Sequence, residues 1–161
     1  MKSLTPFLLA GALLFAAPVL AQEEASSGAN TNIDILVQKI KADKKLLVAS
    51  TLELTDAEGK KFWPLYDAYQ KELEKLNLRL GKGINEYAEA FNKGPIPNDT
   101  AKKLLKEAMA IDEAELKLRK TSADKIGKVL SATKTARYIQ IENKIRAVLK
   151  ADLAANIPLV Y

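Results

Sequence analysis

The chain has 161 residues, with 25 Lys or Arg against 20 Asp or Glu, a formal net charge of +5, and neither His nor Cys. That absence excludes a Ser-His-Asp triad, a cysteine nucleophile, haem attachment, disulfides and any thiolate or imidazole metal site. The charge excess is small and its lysine pairs sit beside acids, so no segregated basic stripe for nucleic acid is present.

The chain opens as a secretory signal peptide does. Met1-Lys2-Ser3 precedes an apolar stretch from Phe7 to Leu20, too short to span a bilayer comfortably, and Ala21 stands before polar Gln22-Glu23-Glu24. Cleavage is expected after Ala21. Residues 1–21 are then the signal peptide, 22–31 a disordered polar leader, and 32–161 a single helical domain with no integral membrane segment.

A first helix is expected from Asn32 to Ser50, with Ile33, Leu36, Val37, Ile40 and Leu47 at three- and four-residue spacing. The second opens at Thr55-Asp56-Ala57-Glu58, where Thr55 and Glu58 form a capping box. Its apolar stripe steps through Phe62, Tyr66, Tyr69, Leu73, Leu76 and Leu80, then Gly83 and Tyr87. This alternation of four and three is the seven-residue repeat of a helix packed lengthwise on another. Pro64 cannot donate to the Lys60 carbonyl, so a kink is expected there, not a stop. Gly81 and Gly83 weaken the helix further on.

Lys93-Gly94-Pro95-Ile96-Pro97 ends it, and Asn98 or Asp99 is expected to cap a third helix reaching about Leu130. That helix carries Leu104, Ala108, Ile111, Leu118, Ile126 and Val129 on one face, with Glu115 where an apolar residue would fit. Ser131 starts a fourth, bearing Tyr138, Ile141, Ile145, Val148 and Leu149 and ending near Asn156-Ile157-Pro158. The fold class is therefore all-α, an elongated bundle of four helices with a kinked long second helix. So thin a layer leaves apolar surface on one side, and a homodimer is the ordinary remedy.

Leu54-Thr55-Asp56-Ala57-Glu58 has a weak echo in Leu130-Ser131-Ala132-Thr133-Lys134, beyond which Phe62 aligns with Tyr138, Leu65 with Ile141 and Tyr69 with Ile145. Duplication and shared helix-capping grammar account for this equally well.

Little in the sequence points to chemistry. Asp112, Glu113 and Glu115 form the notable acidic cluster. Glu115 on a packing stripe is expected to pair with Arg79 or Arg119 and fix helix register. No catalytic residue, cofactor or metal is expected. Among the aromatics, Phe62, Tyr66 and Tyr69 read as core. Trp63, one position off the stripe, is the better candidate for a surface contact, with Lys60, Lys61, Lys102 and Lys103 supplying cations.

Two Leu-Thr-x-x-Gln motifs opening helices in an exported all-helical protein mark the Spy/CpxP-like periplasmic family. The chain resembles that family through Leu54-Thr55-Asp56-Ala57-Glu58 and Leu130-Ser131-Ala132-Thr133-Lys134, with Glu58 and Lys134 where glutamines stand and Ser131 in place of Thr. It is also similar to a group of exported proteins with a Phe-Trp-Pro segment, here Phe62-Trp63-Pro64, and an Ile-Pro-Leu-Val segment, here Ile157-Pro158-Leu159-Val160. The resemblance spans roughly Leu54 to Val160. It implies a periplasmic, antiparallel homodimeric cradle, whose chaperone members hold unfolded envelope proteins on a basic and apolar concave face. Family members that bind metal do so through His and Met; here the His are missing and Met109 alone follows the signal peptide.

Overall fold

The computed structural model describes residues 42–161; the expected signal peptide, the leader and the start of the first helix lie outside them. Four helices are present among the described residues and no strand. They are α1 (42–52), α2 (Asp56–Asn92), α3 (Asn98–Ile126) and α4 (Ala132–Asn156). None is long and apolar enough to cross a membrane.

α2 begins where the capping box predicts. The Glu58 amide donates to Thr55 Oγ1 (3.3 Å) and the Thr55 amide to Glu58 Oε2 (2.9 Å), so two free donors of the first turn are satisfied reciprocally. The helix runs through Pro64 and spans 37 residues in all, held by burial of its stripe and not by propensity. Gly94, at φ +120°, turns the chain out of it, in a region of backbone space that glycine occupies without strain. α3 differs from expectation at both ends. Its N-cap is Pro97, whose carbonyl accepts the Ala101 amide (2.9 Å), and no side chain caps it; Asn98 and Asp99 already lie inside the helix. It stops at Ile126, because Gly127 ends the helical ladder and Lys128 to Leu130 close into turns. Ser131 caps α4 through the Lys134 amide (3.3 Å).

α2 and α3 form an antiparallel hairpin, and α4 returns alongside α2. Contacts between α2 and α4 advance together, from Glu58–Lys134 through Phe62–Tyr138 and Gln70–Glu142 to Asn77–Arg146, so the two helices run parallel. The first two pairs join equivalent positions of the weak repeat. Lys134 Nζ lies 2.7 Å from Glu58 Oε2, and the Phe62 and Tyr138 rings meet edge to face at 5.2 Å. The apolar core gathers at this end of the bundle. Val48, Leu52, Phe62 and Tyr138 are wholly buried, together with Tyr66, Tyr69, Leu73, Ile126 and Leu130. Each large side chain there contributes about 1.5–3 kcal/mol by leaving water.

Polar groups are threaded between the same helices. Lys44 of α1 reaches Gln70 (2.8 Å) and Glu142 (2.8 Å), and Gln70 also donates to Glu142 (2.9 Å). One step along, Arg146 pairs with Glu115 through Nη2 and Nε and donates to Asn77 (2.7 Å). The partner expected for Glu115 is therefore corrected. It is neither Arg79, which holds Glu107, nor Arg119, which donates to Asn143, but Arg146 from α4. Glu115 faces the seam with α2 and α4, where the return of α4 places a guanidinium within bidentate reach.

Candidate functional site

Away from the aromatic core the hairpin is less completely filled, and sequence is the cause. At Gly83 the α2 stripe, apolar at every earlier step, has no side chain. A Cβ built there would meet no atom within 4 Å. Ala101 and Ala108 offer only methyl groups where α3 faces this stretch. The outcome is a cleft of about 300 Å³, open on one side. Leu80, Ile84 and Tyr87 line it from α2, Leu104, Leu105 and Ile111 from α3, and Ile96 from the connecting loop. Its lining is apolar apart from Glu107, whose charge is held by Arg79 (2.9 Å). Leu105 remains 65% exposed and Met109, one turn further along α3, 64%, so the apolar surface spills out of the cleft onto the helix. Leu116 continues the same exposed side.

The segment 157–161 closes one end of this cleft. Tyr87 donates its hydroxyl to the Pro158 carbonyl (2.8 Å), Ile157 and Val160 join the lining, and Tyr161 packs edge to face on Phe91 (4.8 Å). Burial first, and the neighbouring Tyr161 second, push the Tyr87 phenol above its ordinary value, so it stays protonated and available as a donor.

The five residues expected to form one client surface lie in two places. Lys60, Lys61 and Trp63 are on the first turns of α2, whereas Lys102 and Lys103 begin α3. Lys103 sits 3.0 Å from Glu86, 23 residues beyond Trp63. At ~1.5 Å per residue the two groups are roughly 35 Å apart along α2. Lys60 and Lys61 are exposed. Trp63 is half-buried, packed edge to face on Phe62 (5.0 Å) and Tyr66 (5.4 Å), and Lys45 of α1 lies 5.1 Å from its ring centre. The indole is thus largely used inside the protein, as a platform for a cation. Lys102 and Lys103 are exposed and lie in sequence between the cleft residues Ala101 and Leu104, outside the lining itself.

The acidic cluster is likewise divided. Glu115 is buried against Arg146, Asp112 meets Lys150 at the surface (2.9 Å), and Glu113 is exposed. Among the described residues no three acidic side chains converge as a cation site would require. Sequence reasoning missed the cleft itself. The available signals were Gly83 interrupting an apolar stripe, and Leu105 and Met109 lying outside the α3 stripe.

No protein-family model, curated protein or solved structure matches this chain.

Proposed function

We propose that this chain is a non-enzymatic periplasmic binding protein, chaperone-like, that holds unfolded or stress-exposed envelope proteins and works as a homodimer without cofactor. The observation that carries the reading is the open apolar cleft at Gly83, continuous with exposed Leu105 and Met109, with Lys102 and Lys103 exposed on the same stretch of α3. Apolar area that water can reach retains the side chains of an unfolded chain, and exposed Lys102, beside the Lys103–Glu86 pair, adds positive charge that speeds encounter with acidic segments. A chain without His or Cys brings neither a general base of ordinary imidazole pKa nor a thiol nucleophile to that face, which supports holding over turnover.

The test is to fill the cleft without disturbing the fold. Gly83→Leu places a side chain in open space, restores the apolar stripe and removes a helix-weakening glycine. Suppression of aggregation of a chemically unfolded substrate, measured by light scattering without ATP, should fall severalfold while helicity and melting temperature hold or rise. If Gly83→Leu protects as well as the wild type, the cleft is not the holding site.

A second reading has its own support. Leu105, Met109 and Leu116, spaced by four and seven, are exposed on one side of α3, as a helix docking onto a partner helix presents itself. A wild-type protein that protects no unfolded substrate would favour this structural or regulatory reading, in which one specific envelope partner is bound through helix packing.

A further inference from the structure

The segment 157–161 is seated on the cleft in the manner of a bound peptide. It leaves α4 at Ile157 in extended geometry (φ −90°, ψ 117°), presents a main-chain carbonyl to Tyr87, and puts Ile157 and Val160 against the apolar lining. Its hold is slight. Leu159 is 90% exposed, while Val160 and Tyr161 are more than half exposed. The Ile157 amide still donates to the Leu153 carbonyl (2.9 Å), as the last bond of α4; beyond it and the Tyr87 hydrogen bond, the polar contact is a 3.5 Å approach of the Tyr161 hydroxyl to the Phe91 carbonyl, at the outer limit for such a bond. An apolar stretch that buries so little of itself is easily displaced.

We propose that residues 157–161 are a displaceable internal occupant of the cleft, which an extended apolar segment of a client protein replaces on binding. This rests on the client-holding reading of the cleft and adds both the recognition chemistry and a control. The ligand is an extended chain offering a carbonyl to Tyr87 and branched aliphatic side chains to the lining contributed by Leu80, Ile84, Leu104 and Leu105. The control is competition. A tethered segment acts at an effective concentration on the order of millimolar, so it screens out weak ligands and yields to strong or multivalent ones. The exposure of Leu159 and Val160 gives an incoming chain a place to start the exchange.

The experiment compares the mature chain with the same chain ending at Asn156, using an acetylated, fluorescein-labelled Ile-Pro-Leu-Val-Tyr peptide and fluorescence anisotropy. The shortened chain should bind the peptide saturably and at least tenfold more tightly than the intact one. Within the shortened chain, Tyr87→Phe should weaken binding severalfold by deleting the donor to the carbonyl. Should shortening unfold the protein, intact Val160→Asp, which loosens the segment without removing it, should show the same gain. Equal affinity in intact and loosened forms, or no binding to either, would overturn the proposal. Aggregation suppression measured in parallel separates the two ideas. Protection that persists with equal peptide affinity sinks only the internal-occupant proposal, whereas loss of protection by every form removes the client-holding reading beneath it.

Discussion

Arg146→Ala is the substitution whose cost follows most directly from the structure. Arg146 is 6% exposed, and its guanidinium holds Glu115, itself 4% exposed, while donating to Asn77. Removing it strands a buried carboxylate and an amide oxygen among α2, α3 and α4. Leaving one member of a buried ion pair unpaired costs about 3–5 kcal/mol. A domain of this size has about 5–15 kcal/mol in all, so the melting temperature should drop by roughly 10–20 °C. Urea denaturation followed by circular dichroism, with m held constant, measures the change. The informative control is the double variant Arg146→Met with Glu115→Leu. It replaces the pair with apolar groups of similar volume and should recover most of the loss, since such exchanges are often neutral or stabilising. A cost under about 1 kcal/mol for Arg146→Ala, or a double variant as unstable as the single, would refute the argument that this pair is buried and mutually satisfied.

The aromatic core should behave conventionally: Phe62→Ala should cost about 3–5 kcal/mol in the same denaturation assay, because Phe62 is wholly buried against Tyr138. Glu58 links the two helix starts, and its carboxyl is held below the ordinary carboxylate range chiefly by the hydrogen bond from Lys134, then by the Thr55 amide. A folded-state value lower than the unfolded one gives a stabilisation complete above the ordinary carboxylate range and lost as pH falls through the folded value. Glu58→Gln should therefore flatten the acid limb of a stability–pH curve; an unchanged limb would contradict the coupling. Gly83→Ala should stabilise by about 0.5–1 kcal/mol, since the added methyl meets open space, and thermal denaturation decides its sign. If the chain is exported as its first residues lead one to expect, intact mass should place the processed first residue at Gln22, and a start elsewhere would displace the expected cleavage after Ala21.

The long helices were legible because burial on one side of a helix writes itself at three- and four-residue spacing. Phe62, Tyr66, Tyr69, Leu73 and Leu76 are all buried, at or below 9% exposure. The capping box at Thr55 was legible for a related reason, as both partners lie within one turn. What depends on tertiary register was not. Arg146 meets Glu115 from 31 residues away, and sequence spacing speaks reliably only for neighbours on the same helix. The grouping of Trp63 with Lys102 and Lys103 failed similarly. Those residues stand near opposite ends of an antiparallel hairpin, which a reading along the chain does not bring to view. The weak repeat acquires a spatial meaning, since Glu58 meets Lys134 and Phe62 meets Tyr138 at equivalent positions. Gly83 was visible as a gap in the stripe, but only the facing Ala101, Ala108 and Leu105 turn that gap into a cleft.

Site-specific photocrosslinking locates the holding surface directly. A benzophenone amino acid would replace Leu105 at the mouth of the cleft or, in a second protein, Lys60 near the opposite end. Each would be irradiated with an unfolded envelope protein. If the cleft is the holding surface, strong adducts form at position 105, reduced when Gly83→Leu fills the cleft, and few form at position 60. Adducts concentrated at position 60, or unchanged by Gly83→Leu, would contradict it.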